Sequence, residues 1–264
     1  KGGALMPNQP QVDFGRTSQD YAAHRAGFPE SFFKKLEALG LFAPGARVLD
    51  LGTGTGTLAR GFALRGCAVT GLDISENQMA AARGLDEKAG VKIAYVKGHA
   101  EETGFAGESF DIVTAGQCFH WFDRKRATAE ISRILKPSGR FVIAHFDWLE
   151  RAGNPVGAMY ALQEKYNPGW KTAFPLGFYP QRPGDVAFEG FAAEASFLYE
   201  EDVPYTHEGW GGRIRAYAGI GGSLPQEAVA RFDAEFAVLL EEKFPEAVMP
   251  VPHKVWAEVW RKNG

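Results

Sequence analysis

"RVLDLGTGTGTLARGFA", residues 47–63, sets three glycines within five positions directly after a run that reads as a buried strand. The strand delivers Asp50; Gly52, Gly54 and Gly56 follow, and then a helical period begins. A bare main chain that leads into a helix N-terminus is where a ligand comes close to the backbone. Two ligand classes use this geometry. Dinucleotides prefer G-x-G-x-x-G, whose third glycine lets helix and strand pack together. Here Gly56 falls one position early, Thr57 stands where that glycine belongs, and Asp50 sets a negative charge where a pyrophosphate would have to approach. The spacing disfavours a dinucleotide.

Outward from this loop, short apolar runs alternate with amphipathic stretches: ARVLDL, TLARGFALRG, CAVTGLDI, SENQMAAARGLDEKAG, VKIAYVKG, FDIVTAG, DRKRATAEISRILK and GRFVIAHF, all between residues 46 and 146. Strand and helix periods taking turns predict the α/β class, with βαβ units and a parallel sheet covered on both faces. Ser75 with Gln78 three positions later predicts a capping box on a helix that stops at Gly90. Lys136 and Pro137 predict the end of another helix, after which KPSGR turns into the strand RFVIAHF. Upstream, SQDYAAHRAGFPESFFKKLEALG reads as two short helices broken at Phe28–Pro29, a cap on the sheet. Downstream, NPGWKTAFPLGFYPQRPGD is too rich in rings for a linker and reads as a binding loop. A strand FAAEASFLYEEDVPY, a helix PQEAVARFDAEFAVLLEEKF and a final strand HKVWAEVWRK follow.

Composition narrows the partners. The 264 residues carry 29 Lys and Arg against 32 Asp and Glu, a formal charge of −3, and the basic residues are scattered. The electrostatic footprint of a nucleic-acid binder is missing, which favours a small-molecule partner. Cys67 and Cys118 each sit in an apolar segment without metal-ligand spacing, so they read as core thiols and no metal site is expected. No apolar run approaches the ~18 residues of a membrane span, and the leading KGGALMPNQP lacks the apolar stretch of a signal peptide. A soluble, cytoplasmic protein is the expectation; the sequence leaves the oligomeric state open.

The acidic residue followed by G-x-G-x-G resembles the first motif of the class I S-adenosylmethionine-dependent methyltransferases. Four further segments match that family in order: Asp73 closing VTGLDIS, GHAEETGF at 98–105, FDIVTAGQCFHWFD at 110–123 and LKPSGRFVIAHF at 135–146. FHWFD and the N-terminal YAAHRAGFP resemble the small-molecule, trans-aconitate branch of the type 11 methyltransferase domain. One departure is His99, where the family often carries an acidic or small residue.

The resemblance implies a Rossmann-like, doubly wound sheet of seven mostly parallel strands, the last antiparallel, with a helical and aromatic lid. Residues 1–45 would be a tail and cap, 46–146 the S-adenosylmethionine-binding core, and 147–264 an acceptor-binding insertion with strands completing the same domain. The implied cofactor is S-adenosylmethionine, leaving S-adenosylhomocysteine, and the implied reaction is methyl transfer to an oxygen or nitrogen of a small acceptor. A carboxylate or an aromatic metabolite is the candidate acceptor. Gly52, Thr53, Gly54 and Gly56 would pass close to the methionyl part, with Asp50 orienting its ammonium or waters on it. Asp73 would accept from both ribose hydroxyls, Ile74 and Met79 would sandwich the adenine, and Ala100 and Glu101 would meet its polar edge. Gln117, in the loop after the fourth strand, is also expected on the cofactor. Tyr21 and Arg25, at i and i+4, would cover the ligand, Arg25 reaching a carboxylate.

Several of these residues carry a second reading. Met79 is also an ordinary core methionine, and His120 is either a general base toward the acceptor or a packed ring between Phe119 and Trp121. His253 reads as structural. The rings Trp148, Trp170, Phe174, Phe178, Tyr179, Tyr205 and Trp210 are the material from which an acceptor pocket could be built. A nicotinamide-dependent oxidoreductase and a non-catalytic S-adenosylmethionine-binding protein stand as alternatives.

Overall fold

Runs that are apolar at every position, rather than at alternate ones, need cover on both faces of a sheet. The computed structural model, which describes residues 27–168, 170 and 188–263, places them there. Strands β1 (Arg47–Leu51), β2 (Ala68–Asp73), β3 (Ala94–Lys97), β4 (Phe110–Gly116), β5 (Leu135–Trp148), β6 (Phe191–Tyr205) and β7 (Met249–Lys262) form one sheet in the order β3-β2-β1-β4-β5-β7-β6. The pairs β1/β2, β1/β4, β2/β3 and β4/β5 are parallel. β7 runs the other way: Leu149 N–H donates to the Pro252 carbonyl and the Lys262 amine to the Leu135 carbonyl, so partners advance in opposite directions. The reversal of strand order at β1 and β4 is the position where open α/β sheets bind ligands, beyond the carboxyl ends of the strands.

The chain divides into two compact units. One takes Ala26–Phe146, Tyr179–Tyr199 and Val255–Gly264; the other takes Lys1–Arg25, Asp147–Phe178 and Glu200–Lys254. The stretch 147–264 is shared between the units.

In the first unit, Leu49 and Leu51 of β1 pair in register with Val113 and Ala115 of β4 and cluster with Ala127, Ile131 and Ile134 of helix α4 (Arg124–Ile134). The intervening residues face the opposite side. There a Cβ on Gly116 would meet Leu58 of α2 (Thr57–Ala63) and Phe28. Helix α1 (Glu30–Ala38) starts at Pro29, as the break at Phe28–Pro29 predicts, and seats Phe33 where a Cβ on Gly61 of α2 would lie. A mid-helix glycine costs about 1 kcal/mol; here it admits an aromatic ring. Helix α3 (Glu76–Ala89) ends at Gly90 in the left-handed conformation, also as predicted.

In the second unit, helices α5 (Pro155–Tyr166), α6 (His207–Arg215) and α7 (Gln226–Lys243) are tied by Lys165 and Tyr166 to Glu235 and by Arg215 to Asp233, at 2.7–2.8 Å. Among the described residues, no helix is long and apolar enough to cross a membrane.

The structure differs from the sequence reading at one helix end and adds two helices. α4 stops at Ile134, two residues before Lys136; β5 is continuous from Leu135, but the register shifts between the Phe110–Leu135 and Ile112–Arg140 pairs, so Lys136–Gly139 bulge out of the ladder with Ser138 at φ 59°. The KPSG turn is thus kept, as a bulge within the strand. Helices α5 and α6 went unread, although Asn154 caps α5 by accepting from Gly157 N–H, with Pro155 as its first residue. The first of the two upstream cap helices lies outside the described residues.

Candidate cofactor site

The loop between β1 and α2 folds back on itself. Thr53 N–H donates to the Leu72 carbonyl at 3.0 Å and Gly56 N–H to the Thr53 carbonyl at 2.8 Å. All three glycines have positive φ, but they answer different neighbours. A Cβ on Gly52 would lie 2.8 Å from Cys118 Sγ, and one on Gly56 would lie 2.4 Å from the Tyr95 hydroxyl. Both glycines therefore make room for the protein itself. A Cβ on Gly54 would meet a side chain only at Gln78 Oε1, 3.2 Å away.

Beneath the loop, Arg60 donates to the Thr55 carbonyl at 2.9 Å and to Asp86 at 2.8 Å, and the Tyr95 hydroxyl donates to the other Asp86 oxygen at 2.9 Å. This network fixes the loop from below. Burial raises both the Asp86 carboxyl and the Tyr95 phenol above their ordinary values.

Asp73, at the end of β2, accepts from Gly54 N–H through one oxygen and from Ser75 N–H through the other, both at 2.8 Å. Each oxygen keeps a further lone pair. The predicted capping box forms only in half. Ser75 Oγ accepts from Gln78 N–H at 3.4 Å, but Asp73 has taken the Ser75 N–H that the glutamine side chain would otherwise reach. Gln78 Oε1 is left buried and without a hydrogen-bond partner, beside Gly54. Sequence reasoning missed Gln78 because the capping pattern explained it away.

Asp50 is 2% exposed and accepts from the Thr53 and Thr114 hydroxyls, one on each oxygen, at 2.7 Å. Burial raises its carboxyl to about 6 against the pull of both hydroxyls, and the Asp73 charge adds to the rise. Its place is under the loop, holding Thr53. A carboxylate so enclosed, with both oxygens taken by hydroxyls, has no open face for direct contact with a ligand ammonium.

Around this centre the other expected residues separate. Ile74 is 63% exposed and offers a wide apolar face, whereas Met79 is 0% exposed. Met79 is core, so the expected sandwich keeps only its Ile74 side. Ala100 and Glu101 occupy the turn closed by Glu102 N–H onto the His99 carbonyl; Ala100 is buried, and Glu101 accepts from Asp123 N–H at 2.9 Å. Glu130 anchors that turn by accepting from both the N–H and the hydroxyl of Thr103, and Arg133 beside it holds its carboxyl down to about 2.

After β4, Gln117 has φ 59°, donates its N–H to the Ala144 carbonyl and its amide to the Phe146 carbonyl at 2.6 Å, pinning the loop to β5. Cys118 donates to the Leu51 carbonyl at 3.1 Å and is only half-buried, so it is less a core thiol than Cys67, which burial pushes up to about 11. The His120 ring lies on a short 3-10 helix, Phe119–Trp121, with its centroid 4.9 Å from that of Trp121 and 5.9 Å from that of His145. Tyr21, Arg25, Phe174, Phe178 and Tyr179 lie outside the described residues.

Residues 49–143, which hold the glycine loop, Asp73, Gln78 and the loop after β4, match a family model described as a methyltransferase domain. An uncharacterized methyltransferase of Mycobacterium tuberculosis is 30% identical over 154 residues, 55% of this chain and 59% of that protein. The chain thus spans about three fifths of the length of that relative. A ubiquinone biosynthesis O-methyltransferase of Dechloromonas aromatica is 32% identical over 178 residues, 60% of this chain and 73% of its own length. Among solved structures, a phosphoethanolamine N-methyltransferase of Haemonchus contortus, in complex with phosphomonomethylethanolamine and S-adenosylhomocysteine, shares the fold. Its TM-score is 0.53 at 20% identity, over 96% of this chain and 61% of that one. The glycine spacing, the paired acids Asp50 and Asp73, the strand order and these relatives agree: the chain belongs to the class I S-adenosylmethionine-dependent methyltransferases.

Proposed function

We propose that this chain binds S-adenosylmethionine at the Gly54–Asp73–Gln78 centre and directs its methyl group to an oxygen or nitrogen of a small acceptor. The observation that carries the reading is the orphaned Gln78 Oε1 beside Gly54, next to an Asp73 carboxylate already aimed by two backbone N–H groups. A buried acceptor without a donor costs about 1–3 kcal/mol, which a ligand hydroxyl or ammonium would recover. Ile74 supplies the exposed apolar face for an adenine, and the turn at Ala100–Glu101 the adjoining polar edge. When bound, the cofactor supplies an electrophilic methyl on a sulfonium.

The chain's own part is to hold and align, which accounts for much of the rate in such transfers. His120, on the short helix that follows β4, takes the proton that an acceptor O–H or N–H gives up in this reading. The O-methyltransferase name of the Dechloromonas relative favours an oxygen.

The test of the centre is Asp73→Ala, with S-adenosylhomocysteine binding read by calorimetry. Losing charge-assisted bonds should weaken binding by about 1.5–3 kcal/mol; a folded variant of unchanged affinity removes Asp73 from the site. Release of S-adenosylhomocysteine from S-adenosylmethionine over a panel of phenols, carboxylates and amines separates an enzyme from a protein that only binds the cofactor.

A further inference from the structure

We propose that a groove at the amino ends of β1, β2 and β3, wholly within the first unit, is a second ligand site, and that it takes a phosphate monoester carried on an aromatic body. The groove lies at the opposite end of the strands from the glycine loop: β1 runs from Arg47, in the groove, to Leu51, just before Gly52, about 13 Å at ~3.3 Å per residue. It is separate from the cofactor centre, and the inference stands apart from the cofactor reading.

The crossovers decide where this sheet is covered. Those after β1 and β2 carry helices α2 and α3, and that after β4 carries α4, but residues 98–109, between β3 and β4, form no helix. Tyr95 of β3 reaches Asp86 of α3 on one face, so its neighbours Ala94 and Val96 point to the other, where no helix covers them. Thr70 is the register partner of Ala94, and Ala68 lies two residues earlier on the same face. These small side chains, exposed or half-buried, floor a groove of about 570 Å³. That volume lies within the roughly 300–1,000 Å³ of small-molecule pockets. Phe105 and Phe110, edge to face at 5.1 Å, add two rings to its lining.

Charge supplies an independent argument, because two cations line the same groove. Arg47 is the register partner of Ala68, and Lys92 leads into β3, so they stand on either side of the β2 floor. The Arg47 guanidinium carbon lies 5.7 Å from the centre of the Phe110 ring, and a guanidinium seated on a ring keeps its N–H donors free around its edge. Among the described residues, neither side chain enters a hydrogen bond or an ion pair. The adjacent acid is already engaged: Asp111 accepts the Arg47 main-chain N–H on one oxygen at 2.8 Å and the Lys136 amine on the other at 2.7 Å. Burial would raise the Asp111 carboxyl, but Lys136, ahead of Arg47, holds it below its ordinary range. The Thr70 hydroxyl in the floor also makes no hydrogen bond among the described residues. A phosphate monoester brings nearly two negative charges and three acceptor oxygens, which answer two cations and a hydroxyl. Its aromatic body then covers the small-residue floor beside the two rings.

The probe is 1-naphthyl phosphate, titrated by calorimetry into the full chain saturated with S-adenosylhomocysteine, with 1-naphthol and inorganic phosphate as its two halves. The ester should bind at least about tenfold tighter than either half, because neither half meets both the cations and the rings. Arg47→Met and Lys92→Met, both at exposed positions, should each weaken the ester by roughly three- to tenfold. S-adenosylhomocysteine affinity should be the same in both variants as in the parent. No binding of the ester to the parent, a half that binds as tightly as the whole, or an affinity unaltered in either variant overturns the proposal; the last result would put the ester elsewhere on the chain. If S-adenosylhomocysteine fails to bind the parent, the cofactor reading falls, and the same titrations without it still decide this one.

Discussion

Replacing Asp50 by asparagine should stabilise the protein relative to its parent increasingly as pH rises. Burial lifts this carboxyl from an ordinary 3.8 to about 6, so the folded chain holds its proton more tightly than the unfolded chain does. The stability that comes from the neutral acid is fully present below 3.8 and is lost as pH climbs through about 6. At about 1.36 kcal/mol per decade the loss totals about 3 kcal/mol, of which about 2 falls between roughly pH 4.5 and pH 8. Asparagine has nearly the same shape and does not titrate. Altered hydrogen bonds to Thr53 and Thr114 would shift its stability by a constant, and only the pH slope of the difference reports the buried charge. Urea unfolding of both proteins across that range measures it. A difference that is flat with pH would refute the reasoning, because Asp50 would then ionise as an exposed acid does. Asp73→Asn should shrink the slope in turn, since the Asp73 charge is one of the causes that raise Asp50.

Gly56→Ala would set a Cβ 2.4 Å from the Tyr95 hydroxyl at φ 74°, and should lower stability by about 1–3 kcal/mol in urea titration. Adding Tyr95→Phe should return part of that loss, and no recovery would mean that the strain is in the backbone alone. His120→Ala should reduce turnover on the order of a hundredfold while S-adenosylhomocysteine affinity holds, and parent turnover should rise as the imidazole loses its proton. If the loss appears only as weaker acceptor binding with an unchanged pH profile, His120 is a packed ring and alignment carries the reaction.

Much of the cofactor half was legible in the sequence because it is written in local chemistry. The glycine spacing, Asp73 nineteen positions after Gly54, the Gly90 stop and the strand 191–205 each depend on neighbours close along the chain. What the sequence hid depends on contacts between distant segments. Asp50 looked like a ligand-facing acid, and only the register that sets it opposite Thr114 shows it turned into the interior. Gln78 looked spent on a cap until Asp73 was seen to take the Ser75 N–H. Met79 carried two readings with the same periodicity, and burial chose between them. The KPSG stretch turns as its residues dictate, but that the sheet takes it in as a bulge between Leu135 and Arg140 depends on pairing with β4.

Cys118 joins two loops that chemistry would keep separate. Its sulfur donates to the last carbonyl of β1 and fills the space under Gly52, so the segment that leads to His120 rests on the segment that leads to Gly54. Any rearrangement after β4 that withdraws this sulfur changes the energy of the glycine loop, and hence the affinity for whatever that loop holds. Linkage makes the effect reciprocal: a ligand on the glycine loop must bias the β4 loop by the same factor. The strength of that coupling is then a property of this contact. Whichever molecule arrives first then sets the ground on which the second one lands.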